Sequence, residues 1–156
     1  MLISVVGARE PSTEALASAE AIGRALARRG DTVVCGGLTG VMEAVCRGAR
    51  AEGGHTIGVL PTTDPADANP YVEFAIPTGL GVARNAIIAL TGAAMIAVEG
   101  SYGTLSEIAF ALQFGKPVIG LGTWPLTDLT GAEPVLPAHS PEEAVELATQ
   151  LATASG

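Results

Sequence analysis

Residues 98 to 107 read "VEGSYGTLSE", with two glycines, several hydroxyls and two carboxylates between the apolar run "GAAMIA" and the helical pattern "IAFALQF". Glycines in such a turn let backbone N–H groups approach a ligand, and a helix starting there points its partial positive charge at it. Two other segments have the same form: Gly36-Gly37-Leu38-Thr39-Gly40 after an apolar run, and Gly79-Leu80-Gly81 before a helical one. Three such turns at strand ends predict one anion-binding crevice, because ligands of open α/β sheets bind beyond the carboxyl ends of the strands. The candidate ligand contacts are Gly36, Gly37, Thr39, Gly40, Gly79, Asn85, Gly100, Ser101, Tyr102, Gly103 and Thr104.

Two charged residues could act on what the crevice holds. Arg84 falls in or near the first turn of a helix, where a cation is unfavourable by about 0.3–1 kcal/mol. An arginine there is explained by an anion or a carboxylate facing its planar fork, or by a surface pairing with a nearby acid. Glu107 has two readings as well. Thr104-Leu105-Ser106-Glu107 matches a Thr-x-x-Glu capping box, so the carboxylate can simply close the helix start. It can equally face the crevice as a catalytic acid or base.

Other signatures fail. A P-loop needs Gly-Lys-Ser/Thr, whereas the single lysine, Lys116, stands beside Pro117. The dinucleotide pattern starts at Gly79 and Gly81 but puts Arg84 where its third glycine belongs. No Gly-x-Ser-x-Gly elbow occurs, and His55 and His139 have no triad partner at a recognisable spacing. Cys35 and Cys46 are too few and too widely spaced for a zinc site or a disulfide framework and read as core thiols, so no metal is expected.

The elements that must position these residues follow from periodicity. Short apolar runs (Leu2 to Val6, Thr32 to Cys35, "HTIGVL", "VEFAI", Met95 to Val98, Val118 to Leu121) read as strands. Helical patterns run from Thr13 to Arg29, through "VMEAVCRGARAEGG", from Val82 to Leu90 and from Leu105 to Phe114. The tail "HSPEEAVELATQLA" opens with Ser140, Pro141 and Glu143 as cap, first helical residue and capping-box acid. Alternation of this kind predicts an α/β fold, one Rossmann-like domain over residues 1–156 with a mostly parallel sheet and helices on both faces.

Composition narrows the partners. A net charge of −8 without any basic run excludes broad nucleic-acid backbone binding, while leaving room for one small anion at a local site. No apolar stretch reaches the roughly 20 residues that cross a membrane, and "MLISVVG" lacks a signal peptide's basic flank, so the cytoplasm is expected.

"GGLTGVMEAVCRGARAEGGHTIGVLP", "TGLGVARN" and "EGSYGTLSEIAFALQFGKPVIGL" resemble the three signature blocks of the lonely-guy (LOG)/SLOG superfamily. Its best-known members are phosphoribohydrolases with the hallmark Pro-Gly-Gly-x-Gly-Thr-x-x-Glu and an upstream Arg-Lys pair. Gly100, Gly103, Thr104 and Glu107 match the hallmark and Arg84 the arginine, whereas Glu99, Ser101 and Asn85 depart from it. The resemblance implies a phosphate on the glycine-threonine loop, with Arg84 and Glu107 serving hydrolysis of the N-glycosidic bond of a nucleoside 5'-monophosphate. "GGLTGVMEA" and "TGLGVARN" are similar to the branch of molybdenum cofactor carrier proteins, which implies the alternative of a non-catalytic carrier or nucleotide sensor. The ligand implied is a small phosphorylated molecule, a nucleotide or a molybdopterin-type compound, with no other cofactor required. The family also implies a homo-oligomer, a dimer or tetramer. Its lysine-decarboxylase label is set aside, because Lys116 at a helix end is the only lysine available for a pyridoxal Schiff base.

Overall fold

The computed structural model describes residues 1–154. In chain order the elements are β1 (Leu2–Gly7), α1 (Thr13–Arg28), β2 (Thr32–Cys35), α2 (Val41–Ala51), β3 (Thr56–Leu60), β4 (Phe74–Pro77), α3 (Asn85–Thr91), β5 (Ala94–Val98), α4 (Tyr102–Gln113), β6 (Val118–Leu121), β7 (Val135–Pro137) and α5 (Pro141–Ala154). Short 3-10 helices cover Pro65–Asp67 and Gly81–Arg84.

The strands form one sheet in the order β4-β3-β2-β1-β5-β6-β7, and every neighbouring pair is parallel. This is the expected Rossmann-like α/β architecture. The apolar runs are continuous rather than alternating because strands covered on both faces must be apolar on both. Consecutive residues accordingly enter different cores. Val5 packs with α1, α2 and α5, while Val6 packs with α3 and α4. The chain moves outward from β1 to β4, then returns to β5 on the other side of β1. That reversal opens a crevice beyond the carboxyl ends of β1 and β5.

Local chemistry fixes the helix ends. The Ser12 hydroxyl accepts the Ala15 amide at 3.1 Å to start α1. At α5 the Ser140 hydroxyl accepts the Glu143 amide at 3.1 Å, and Glu143 reaches back to the His139 amide at 2.7 Å, one residue before the expected one. Helices α1 and α2 pack so closely that a Cβ on Gly48 would strike the Glu20 carbonyl, and one on Gly23 the Val45 carbonyl.

Four expectations need correction. Helix α4 begins at Tyr102, with Ser101 as its cap residue, rather than at Leu105. Thr104 is thus inside the first turn, and its side chain packs directly over Gly100. The third helix is divided into the 3-10 helix ending at Arg84 and the α-helix starting at Asn85. Strand β4 starts at Phe74, two residues later than its apolar run, and β7 was not expected, since it has three residues and ends on Pro137 at the sheet edge.

Candidate functional site

Beyond β1 and β5 lies a crevice of about 310 Å³. Gly7 closes its floor at the end of β1, and Arg9 follows in the turn toward α1. Gly36 comes from the end of β2, Pro61 from the end of β3, Gly81, Val82, Arg84 and Asn85 from the third helical segment, Ser101 from the cap of α4, and Gly103, Thr104 and Glu107 from α4.

The start of α4 is open toward the crevice. The Ser101 hydroxyl makes no cap hydrogen bond, and the first backbone bond of the helix is from the Leu105 amide to the Ser101 carbonyl at 3.0 Å. The amides of Tyr102, Gly103 and Thr104 therefore have no partner within the helix, which is the arrangement that receives an anion.

Arg84 and Glu107 meet at the base of the crevice. Each is only 7% exposed, and the Arg84 Nη1 lies 3.8 Å from Glu107 Oε1, too far for a hydrogen bond. Burial pushes the Glu107 carboxyl up to about 7, with Arg84 acting against that rise. Burial likewise lowers the Arg84 guanidinium, and Glu107 opposes the fall. Two charges buried and imperfectly paired are a weak way to stabilise a fold, which makes the pair a functional candidate.

The guanidinium is aimed rather than free. Its Nη1 donates to the Asn85 side-chain oxygen, and its Nη2 donates to the Gly36 carbonyl at 3.5 Å. Nε is buried with no partner. Asn85 in turn donates through Nδ2 to the Ser106 hydroxyl at 2.9 Å and to the Gly103 carbonyl at 3.4 Å. This residue thus ties α3 to the first turn of α4 and sets the plane of Arg84. Gly36 makes the space, since a Cβ there would stand 2.6 Å from Arg84 Nη2 and 2.6 Å from Met42 Sδ.

The capping-box reading of Glu107 fails, because α4 already runs three residues upstream of Leu105 and the carboxylate faces the crevice. Glu99 turns away. It adopts φ 49° and its carboxylate accepts the Ser12 hydroxyl at 2.5 Å and the Ser12 amide at 3.1 Å, at the start of α1.

Of the residues singled out in the sequence, Gly36, Arg84, Asn85, Ser101, Gly103, Thr104 and Glu107 line the crevice together. Gly37, Thr39, Gly40, Gly79, Gly100 and Tyr102 do not line it. Gly100 lines an adjoining cleft with Arg9 and Ser101, and Tyr102 is exposed beside Trp124. Arg9, Met42 and Pro61 line the crevice without having been singled out. Arg9 was legible in principle, since the turn after the first strand obeys the same strand-end rule as the glycine turns. Cys35 and Cys46 are buried free thiols with their sulfurs 3.5 Å apart. Among the described residues no cluster suited to a metal ion occurs, and no helix is long and apolar enough to cross a membrane.

The SLOG cluster4 family profile matches residues 1–152. The chain belongs to the SLOG cluster4 family. A cytokinin riboside 5'-monophosphate phosphoribohydrolase of Mycobacterium tuberculosis is 34% identical over 134 residues, which covers 78% of this chain and 71% of the relative. The molybdenum cofactor binding protein of Rippkaea orientalis superposes with a TM-score of 0.88 at 36% identity, over 96% of this chain and 95% of the other. The molybdenum cofactor carrier protein of Chlamydomonas reinhardtii gives 0.87 at 36% identity, over 97% and 98%. The proteins this chain is similar to thus include a phosphoribohydrolase and molybdenum cofactor proteins.

Proposed function

We propose that the crevice binds a small molecule through a phosphate monoester and hydrolyses the N-glycosidic bond of a nucleoside 5'-monophosphate. The observation that carries this is the buried Arg84–Glu107 pair beside the uncapped start of α4. The phosphate takes the free amides of Gly103 and Thr104, where the helix end favours negative charge. The sugar then lies over Glu107.

A carboxyl poised near 7 is half protonated at neutral pH, which suits proton transfer in either direction. In the reaction the C1'–N bond breaks and its electron pair leaves with the base. The oxocarbenium-like centre is stabilised by the Glu107 carboxylate. Water adds its oxygen to C1', and Glu107 takes the water proton and passes it to the departing base nitrogen. The products are the free base and ribose 5-phosphate. Arg84 holds Glu107 against complete protonation and lends its positive charge to the phosphate bound in the crevice that it lines.

A second reading, a carrier for a molybdopterin-type ligand, is favoured by the end-to-end likeness to the two molybdenum cofactor proteins. A carrier uses the same amides and Arg84, with Glu107 as a fixed counter-charge. The test is to incubate the purified protein with nucleoside 5'-monophosphates and follow base release by chromatography. Release that is abolished in a folded Glu107→Ala variant is the expected result. A folded wild type that releases no base from any of them contradicts hydrolysis and leaves the carrier reading, tested next by binding of molybdopterin.

The protein is also proposed to act as a homo-oligomer. The register pairs Ile57 with Phe74 and Val59 with Ile76, so the two β4 side chains stand on the α3/α4 face. They are exposed there, as are Leu80, Val82 and Leu90. An exposed apolar surface of this kind marks an interface. Val82 also lines the crevice mouth, so a second copy seated here would wall it.

A further inference from the structure

A second cavity, of about 300 Å³, lies beyond the carboxyl ends of β6 and β7, beneath the loop that joins them. Trp124, Pro125, Leu126 and Pro137 provide apolar walls, and Glu133 and His139 the polar groups. The volume is at the small end of ligand pockets, which run from roughly 300 to 1,000 Å³ and combine apolar walls with a few polar groups.

The loop that roofs it is built by its own hydrogen bonds. Asp128 accepts the Thr130 amide at 2.7 Å and the Ala132 amide at 3.0 Å, and the Thr123 hydroxyl donates to the Glu99 carbonyl at 2.5 Å. The indole N–H of Trp124 donates to the Ser101 carbonyl at 3.2 Å, and Tyr102 packs against the ring at 5.8 Å between centroids. The ring plane is therefore set before any ligand arrives. Trp124 is the single tryptophan of a chain that is only 4% aromatic.

Charge separates this cavity from the first. Its lining includes neither lysine nor arginine among the described residues, and Glu133 supplies a carboxylate. The Glu143 carboxylate sits close by on the His139 amide. A phosphate is disfavoured there. A flat ring can stack on the indole, give an N–H to the Glu133 carboxylate and exchange a hydrogen bond with the His139 imidazole, which donates or accepts according to tautomer.

We propose that this cavity is a second binding site, for a planar nitrogen heterocycle that bears no phosphate, held on Trp124 by Glu133 and His139. The site shares no lining residue with the phosphate crevice.

The test uses Trp124 as its own reporter. Adenine is titrated into the wild type while tryptophan fluorescence is followed, and the same is done for Arg84→Ala and for the double variant Glu133→Ala, His139→Ala. Both positions of the double variant are exposed, so folding is retained, and circular dichroism checks it. The expected result is saturable, submillimolar quenching that weakens about tenfold or more in the double variant and is unchanged in Arg84→Ala. Adenosine 5'-monophosphate is expected to quench at least about tenfold more weakly than adenine. Absence of saturation, equal midpoints in wild type and double variant, or equal binding of the monophosphate overturns the proposal. Loss of the signal in Arg84→Ala overturns it too, because adenine would then occupy the crevice.

Discussion

Glu107 carries a signature that separates a buried carboxylate from a surface cap. Burial raises it from 4.5 to about 7. A carboxyl raised in the folded state keeps its proton longer there than in the unfolded chain. Its effect on stability is nil below pH about 4.5, where both states are protonated, grows unfavourable from 4.5 to 7, and stays constant above. The size of the loss is about 3 kcal/mol on conversion of the shift. Glu107→Gln removes it. Denaturant unfolding at pH 5 and pH 8 is expected to show the wild type losing about 2.5 kcal/mol relative to the variant between the two values. Equal losses in both proteins contradict a raised Glu107.

On the sheet face opposite Glu107, the fold depends on close backbone packing more than on side-chain choice. Helices α1 and α2 approach through Gly23 and Gly48, where a methyl group has no room. Gly48→Ala gains helix propensity of roughly 1 kcal/mol, yet it forces the helices apart. We expect a net destabilisation of about 1–3 kcal/mol in thermal or denaturant unfolding. A neutral or stabilising outcome contradicts the packing. Most of this layer was legible in the sequence, because continuous apolar runs and helical periodicity mark strands and helices covered by a neighbour. Helix starts were less so. "SYGTLSE" points to a cap at Thr104, whereas the helix starts at Tyr102 and Thr104 packs over Gly100. Asn85 reads in sequence as a lysine missing from the hallmark. Its work, gripping Ser106 and aiming Arg84, exists only once α3 and α4 are adjacent. Strand β7 is too short to show a pattern, and Pro137 argues against it.

At the scale of the whole molecule, one sheet reversal gathers turns from distant parts of the sequence into a single crevice, and the exposed apolar face beside it is suited to a second copy. Size-exclusion chromatography with light scattering is expected to give a dimer or tetramer, and Phe74→Asp combined with Leu90→Asp a folded monomer. A monomeric wild type contradicts the assembly. The central claim, recognition of a phosphate monoester by Arg84 and the α4 amides, is tested most directly by calorimetry. Adenosine 5'-monophosphate and ribose 5-phosphate are compared with adenosine and ribose, in the wild type and in Arg84→Ala. The phosphorylated compounds are expected to bind about tenfold or more tightly than their unphosphorylated counterparts, and the gap to close in the variant. Equal affinity with and without the phosphate, or a gap that survives loss of Arg84, contradicts it.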